Sequence, residues 1–329
     1  MSPRTFAASM GLIVLLGIAR PGTAAGEEQV PRENAFSATT FVTAPETAEI
    51  KRFTIAVEEV LLKIEDGISY YAWTFGGTVP GPTLRVREGD HVEVTLENHG
   101  TVSHGIDLHA AAVMPGKAFA PVAPGGRHTL RFVARQPGVF MYHCSALPII
   151  THIANGMYGV IIVDPKEGRP RAKEFVLVQG EFYGEPDGSG VVRGDSTTMM
   201  EGSPTFVVFN GGIERYLTEP LMVKPDELVR LYMVNAGPNT VSALHVIGTL
   251  FDRVSPDGNP RNALVGVQTQ FVPPGGGAVF EFHLHEPGDY PVVTHVMSHV
   301  YKGAIGVFRA EEPGSDGSHG HPAPSAMRH

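Results

Sequence analysis

The chain has 329 residues, 42% hydrophobic and 18% charged, which is enough apolar material for one large core or two ordinary ones. A net charge of −9 argues against a nucleic-acid or anionic-membrane surface, and Gly 39 with Pro 27, a fifth of the chain, favours turns and short strands over long helices. A single cysteine excludes an internal disulfide, a zinc ribbon, an iron–sulfur site and a CxxCH haem attachment; beside it, fifteen histidines make metal binding the first chemistry to consider.

In chain order, residues 1–25 read as a secretory signal: Arg4 is the positive start, Met10 to Ala19 the apolar run, and Thr23-Ala24-Ala25 a small-residue cleavage site. The run is about half of the ~20 residues that a spanning helix needs. Removing Met1–Ala25 takes away Arg4 and Arg20 and no acidic residue, so the net charge moves from −9 to −11. The mature protein is expected in a bacterial periplasm. An N-terminal arm is expected over 26–45, a first domain over 46–165, a linker at 166–171, a second domain over 172–312, and a disordered tail over 313–329 that contains His319 and His321.

Strand patterns dominate both domains. His91-Val-Glu-Val-Thr-Leu96 alternates, as do Thr129-Leu-Arg-Phe132 and Val229-Arg-Leu-Tyr-Met233, with Gly and Pro clusters between them and no long amphipathic helix. A repeat is visible. Ala123-Pro-Gly-Gly126, Leu130-Arg-Phe132 and Pro137-Gly-Val-Phe140 return as Pro273-Pro-Gly-Gly276, Phe280-Glu-Phe282 and Pro287-Gly-Asp-Tyr290, with Pro124/Pro274 and Pro137/Pro287 both 150 apart. Such a period is a domain duplication, and the expected fold is all-β: two Greek-key β-sandwiches in tandem.

The first repeat contains His104-Gly-Ile-Asp107-Leu-His109, then His143-Cys144, His152 and Met157. A thiolate, two imidazoles and a thioether suit a trigonal His2Cys copper site with a weak axial Met, because soft sulfur holds Cu(I) and imidazole holds both oxidation states. Strand parity divides the remaining groups. Phe140, Tyr142 and Cys144 share one face and Met141 and His143 the other, so a Cys144 pointing into its sandwich turns His143 outward. On 104–109, Asp107 and His109 have the opposite parity to His104, so His143, His109 and Asp107 can meet on the outer face. A metal there needs a third ligand from elsewhere.

HxxDxH, then HC, then H-x4-M in the first of two cupredoxin repeats resembles the copper-containing nitrite reductases, and the likeness extends to Trp73-Thr-Phe-Gly-Gly-Thr-Val-Pro-Gly-Pro82. The resemblance implies two coppers per chain: type 1 copper on His104, Cys144, His152 and Met157, and type 2 copper on His109, His143 and His295. It implies that His295 is lent by the second domain of a neighbouring subunit in a homotrimer. It also implies Asp107 and His245 (in His245-Val-Ile-Gly248) as catalytic residues, Ile247 above the substrate and Thr269 as an outer partner. Two features depart from the family pattern. The Cys144-to-His152 gap is one residue shorter than in the best-known members, and Thr151 stands where many carry Trp. Both lie beside the first copper position, where colour, potential and donor docking are decided.

The expected reaction is one-electron reduction of nitrite to nitric oxide and water, with electrons from a small cupredoxin or a cytochrome c. Two other classes compete. A laccase-type multicopper oxidase needs eight histidines, but Ser145 follows Cys144, and the HxH pair His283/His285 flanks Leu284 on a strand whose Phe282 and Leu284 face the core, so both are expected in solvent. An electron carrier would hold type 1 copper alone. A related two-domain copper protein acting on another small substrate is a third reading. His91, His99 and His128 are read as exposed, and His299, four residues after His295, as a weaker candidate for the outer partner of a ligand.

Overall fold

The expected alternation appears as strands throughout a computed structural model, which describes residues 30–312. The expected signal (1–25) and tail (313–329) lie outside the described residues. Among those described no helix exceeds six residues, and none is long and apolar enough to cross a membrane. The strands form four sheets, two in each half of the chain.

In the first half, one sheet is ordered Ile68–Phe75, Ile50–Glu65, His91–Asn98, Arg127–Val133, and the second Val42–Thr43, Leu84–Arg87, Tyr158–Asp164, Gly138–His143, Asp107–Leu108. The faces of the two sheets close on a core of Val92, Val94, Leu96, Leu130, Phe132, Tyr142, Cys144 and Ile161. Tyr142 lies opposite Gly159, where a Cβ would sit 2.2 Å from the ring, and its hydroxyl donates to the Pro82 carbonyl at 2.6 Å. Gly159 thus lets the ring lie flat across its strand and seats the segment that ends in His143 and Cys144.

The second half repeats this plan. Phe206–Phe209, Lys173–Phe182, Val229–Asn235, Gly277–Phe282, Phe251–Pro256 and Leu264–Val267 form one sheet, and Glu219–Val223, Ile305–Ala310, Gly288–Thr294, Ser242–Val246 and Gln270–Val272 the other. Sheet orders that skip between distant strands are what Greek-key connections produce. The copies agree down to single hydrogen bonds. Asn98 Nδ2 donates to Val122 O at 2.8 Å and Gly125 N to Asn98 O at 2.8 Å. Asn235 Nδ2 donates to Val272 O at 3.0 Å and Gly275 N to Asn235 O at 2.8 Å. In both turns the glycine has φ +74°. The repeat read at Pro124 and Pro274 is therefore a repeated turn clipped by a repeated asparagine.

The sandwiches join through a dry layer. Val139, Met141, Val160 and Ile162 of the first pack on Val176, Val178, Tyr232, Val234 and Val279 of the second. At about 25 cal/mol per Å² of apolar area removed from water, a continuous layer of this kind ties the two into one unit. Segment 30–45 adds to the junction: Asn34 Nδ2 donates to Val79 O and Asn210 O, one in each half, and Phe36 and Ala38 are buried. Val191–Val192, from the second half, extends the first half's sheet beside Ile68–Phe75.

Candidate metal centres

Cys144 follows the last residue of the strand Gly138–His143, with its side chain in the core, as parity requires. His104 lies on the neighbouring segment, bridged to Val122, and His152 on a single helical turn, Ile149–Ala154, that follows Pro148. Their donor atoms converge. Cys144 Sγ is 3.3 Å from His152 Nδ1 and 3.9 Å from His104 Nδ1, and the two Nδ1 atoms are 3.1 Å apart. Met157 is fully buried; its N–H donates to His152 O and its carbonyl accepts from Cys144 N–H. Sγ accepts the Gly105 N–H at 3.3 Å.

Electrostatics favour a cation among these atoms. Burial pushes the Cys144 thiol up, opposed by N–H groups of Gly105 and Ala146, so a thiolate here needs a positive charge beside it. Burial, followed by the neighbouring His104, lowers His152 to about 4, so at neutral pH its imidazole is unprotonated and ready to ligate. His104 turns its other nitrogen, Nε2, toward Glu59 Oε1 at 3.9 Å, too long for a hydrogen bond but close enough for attraction. This imidazole, with the Thr101 amide and hydroxyl, holds the Glu59 carboxyl down to about 2 against the effect of burial. The chain's one tryptophan, Trp73, packs edge-on against both rings, with centroids 5.5 Å from His104 and 4.9 Å from His152.

The second cluster lies on the opposite face of the same strand. Asp107 pairs across from His143, which places the carboxylate beside the imidazole, with Oδ2 4.0 Å from Nε2. His109 follows with the same parity. Asp107, His109 and His143 form a group whose donor atoms lie within 4.8 Å of one another. His143 Nδ1 meets Cys144 O at 2.9 Å, and His109 Nδ1 meets Gly275 O at 3.1 Å. A carbonyl only accepts, so each ring carries a proton on Nδ1 and turns Nε2 toward the other ring. The two Nε2 atoms are 3.1 Å apart. The spacing suits two imidazoles sharing one ion at about 2.0–2.1 Å. Burial, followed by the neighbouring His109, keeps His143 below its ordinary range. Both donor sets fit a metal, the first soft and the second all nitrogen and oxygen.

His143 points outward as strand parity requires, but the outer face of Gly138–His143 is covered: the second sandwich packs over Val139 and Met141, and His143 sits at the rim, 11% exposed. On the second domain, His245 and His295 stand side by side with ring centroids 5.3 Å apart, outside the Asp107/His109/His143 group. His295 is exposed and Ile247 is 44% exposed. His245 Nδ1 meets the carbonyl of Gln268 at 2.5 Å, the residue before Thr269. His283 and His285 are tied to Asp252 and Asp226 at 2.7 Å each, away from both clusters, while Phe282 and Leu284 are buried. His91 and His99 are exposed, but His128 is half-buried, its Nε2 on Ala118 O at 2.9 Å.

Four contributors escaped the sequence reading: Glu59, the Trp73 indole, and the carbonyls of Gly275 and Gln268. Trp73 had a signal, being the only tryptophan and lying in the segment singled out before the first ligand. The two carbonyls had none, because a backbone oxygen carries no residue identity.

The family model for multicopper oxidases matches residues 56–168. A copper-containing nitrite reductase of Neisseria meningitidis serogroup A is 43% identical over 275 residues, 81% of this chain and 70% of the relative. Among solved structures, the copper nitrite reductase of Nitrosomonas europaea superposes with a TM-score of 0.76 at 42% identity, over 80% of this chain and 95% of that one. The copper-containing nitrite reductase of Thermus scotoductus gives 0.75 at 35%, over 81% of this chain and 63% of that one. Two copies of one sandwich, a buried cluster around Cys144 and a histidine pair behind it thus occur in a chain 43% identical to a copper-containing nitrite reductase, and the chain belongs to the copper-containing nitrite reductases, a family of oxidoreductases.

Proposed function

We propose that this chain reduces nitrite by one electron to nitric oxide and water: nitrite, two protons and one electron give one NO and one H2O. The observation that carries the reading is the adjacency of His143 and Cys144, each in a different donor cluster. His104, Cys144, His152 and Met157 would hold type 1 copper, and His109, His143 and a neighbouring subunit's copy of His295 type 2 copper. Bound at these places, copper supplies one-electron transfer at the first and an open, Lewis-acidic coordination position at the second.

The residues divide the remaining work. The peptide unit between Cys144 and His143 is the covalent link between the two centres. His152 is 4% exposed, and Leu147 and Ile149, on its own loop, are apolar and open to solvent, which favours an external donor, a small cupredoxin or a cytochrome c, meeting the chain there. Asp107 stands where it can hydrogen-bond a bound oxygen, and His245, tied by Nδ1 to Gln268 O, presents its other nitrogen for proton transfer. Ile247 covers the substrate from above, and Thr269 supports the His245 loop. Exposed Phe271 and Val265 lie in the segments on either side of that loop, apolar surface that a homotrimer would cover. Domain limits of 46–165 and 172–312, secretion to the periplasm by residues 1–25 and a place in denitrification complete the proposal.

The test is copper-loaded protein assayed for nitric oxide from nitrite, with copper counted per chain. Nitric oxide formation with two coppers per chain in a trimer is expected. One copper and no nitric oxide would identify an electron carrier instead, and a fully active monomer would remove the intersubunit site.

A further inference from the structure

The hydrogen bonds that mark the duplication continue into the place where the second sandwich could have had a metal of its own. His104 stands across from Val122, and Ser242 across from Val272, the residue 150 positions after Val122. Gly105 N–H donates to Cys144 Sγ at 3.3 Å, and Ala243 N–H to Thr294 Oγ1 at 3.0 Å. Met157 N–H donates to His152 O at 3.1 Å, and Ala304 N–H to His299 O at 3.0 Å. In both copies a short helical turn carries the histidine, and the residue before Met157 or Ala304 is a glycine of positive φ, +108° at Gly156 and +112° at Gly303. Trp73 N–H donates to Asn155 O at 2.9 Å, and Val207 N–H to Lys302 O at 3.1 Å.

Ser242, Thr294, His299 and Ala304 therefore occupy the four positions that His104, Cys144, His152 and Met157 occupy in the first sandwich. Ser242, Thr294 and Ala304 are fully buried and His299 is 7% exposed. Two of these side chains, Ser242 at Oγ and His299 at Nδ1, have buried polar atoms with no hydrogen-bond partner. Such atoms are uncommon in a packed interior, and here both fall on counterparts of ligand positions.

We propose that the second domain contains a latent copper pocket, with one ligand, His299, still in place and the backbone of the other three preserved. This rests on reading His104, Cys144, His152 and Met157 as a type 1 site. As it stands the pocket cannot hold copper: it has one imidazole, two alcohols that stay protonated and no thiolate. Replacing Ser242 by His and Thr294 by Cys supplies the missing imidazole and thiolate, and Met at 304 adds the weak axial thioether. At the backbone position of Trp73, which packs on both imidazoles of the first domain, the second domain has the smaller Val207.

The experiment uses the full chain with S242H, T294C and A304M introduced together in a C144A background, so that any thiolate absorption comes from the second domain. Expected is one more copper per chain than the C144A parent holds, an intense visible copper–thiolate absorption that the parent lacks, and a melting temperature raised by copper. S242H and T294C without A304M should bind copper as well, since Met is the weakest ligand. A folded variant with the parent's copper count and no visible band overturns the proposal. Loss of the folded state in both variants overturns it equally, because the claim is that the pocket accepts these side chains. Wild-type protein separates the two readings: without its own copper–thiolate band the type 1 assignment fails, whereas a band in wild type and none in the variants leaves that assignment intact and sinks the latent pocket.

Discussion

On the outer face of the first domain's sheet, Thr54, Thr95 and Thr129 lie in a row turned toward water, while the matching row of the second domain, Val176, Tyr232 and Val279, is buried against the first domain. Next to each row runs an ion triad, and the charges are reversed. Arg52 and Arg131 flank Glu93 at 3.3 and 2.7 Å, whereas Glu174 and Glu281 flank Arg230 at 2.9 and 2.7 Å. The backbone positions match, since each central residue pairs directly across with both partners. One scaffold was thus given two environments. Where the face meets solvent, short hydroxyls and an open triad suffice. Where it meets protein, the row is apolar and the guanidinium, 1% exposed, is surrounded by acceptors that include Pro170 O. The faces around Cys144 and Thr294 divide likewise, with His104, Cys144, His152 and Met157 in one copy and Ser242, Thr294, His299 and Ala304 in the other.

The sharpest way to test that division is at Asp107 and His245, which are counterparts: Asp107 pairs across from His143 and His245 across from Val293, 150 residues on. On the proposed reading both serve one reaction, with different tasks. Asp107→Asn keeps the shape and removes the carboxylate, so turnover should fall by about 10²–10⁴-fold with copper content unchanged. His245→Asn should alter the pH–rate profile more than the maximal rate. Steady-state nitrite reduction across pH, with copper counted in each variant, is the measurement. An undiminished rate in Asp107→Asn would remove its proton role.

The two triads offer a second contrast. Arg230→Met leaves carboxylates buried without their guanidinium and should cost about 3–5 kcal/mol of stability. Glu93→Gln, at the counterpart position, where both arginine partners lie open to solvent, should leave the urea midpoint nearly unchanged. The pH dependence follows from Glu174. Burial alone would raise its carboxyl, but Arg85 and Arg230 outweigh burial and hold it below its ordinary value of 4.5. A depressed carboxyl stabilises the fold above its unfolded value, and that contribution is lost as pH falls through the lower folded value. Arg230→Met weakens the hold, so acid unfolding should begin at a higher pH than in wild type. Identical acid profiles would show that Arg85 alone keeps Glu174 ionised.

The duplication behind this contrast was legible in the sequence, the two environments were not, and the limits have a physical cause. Alternation gave the strands, and the 150-residue period gave the duplication because the stretches from Val122 to Thr129 and from Pro137 to Cys144 have counterparts without insertion. Elsewhere the offset drifts with loop length, to 138 at His104/Ser242, 147 at His152/His299 and 134 at Trp73/Val207, so no fixed period could have paired those positions. Parity placed Cys144 and His143 on opposite faces because it depends only on the strand. It could not say that the outer face is covered by the chain's own second domain, since that requires the packing of two sheets distant in sequence. His128, read as exposed, is half-buried because its ring meets the carbonyl of Ala118 in the segment before its strand, and a backbone oxygen carries no residue identity.

The smallest expected effect isolates one such carbonyl. Gly125 and Gly275 are counterparts with φ +74°, so alanine strains both turns similarly, by about 1 kcal/mol. They differ in what a side chain would meet: nothing within 4 Å at Gly125, but His109 Cε1 at 3.3 Å at Gly275. Gly275 also accepts the His109 Nδ1–H, the bond that turns Nε2 toward His143. Gly275→Ala should therefore weaken retention of the second copper by about 10–100-fold, the usual effect of disturbing a ligand's outer partner, measured by competition with a chelator. Gly125→Ala should lose the same backbone stability and keep its copper. Equal retention in the two variants would mean that His109 is held by its own strand alone, and that the second domain of the same chain adds nothing to the geometry of the site.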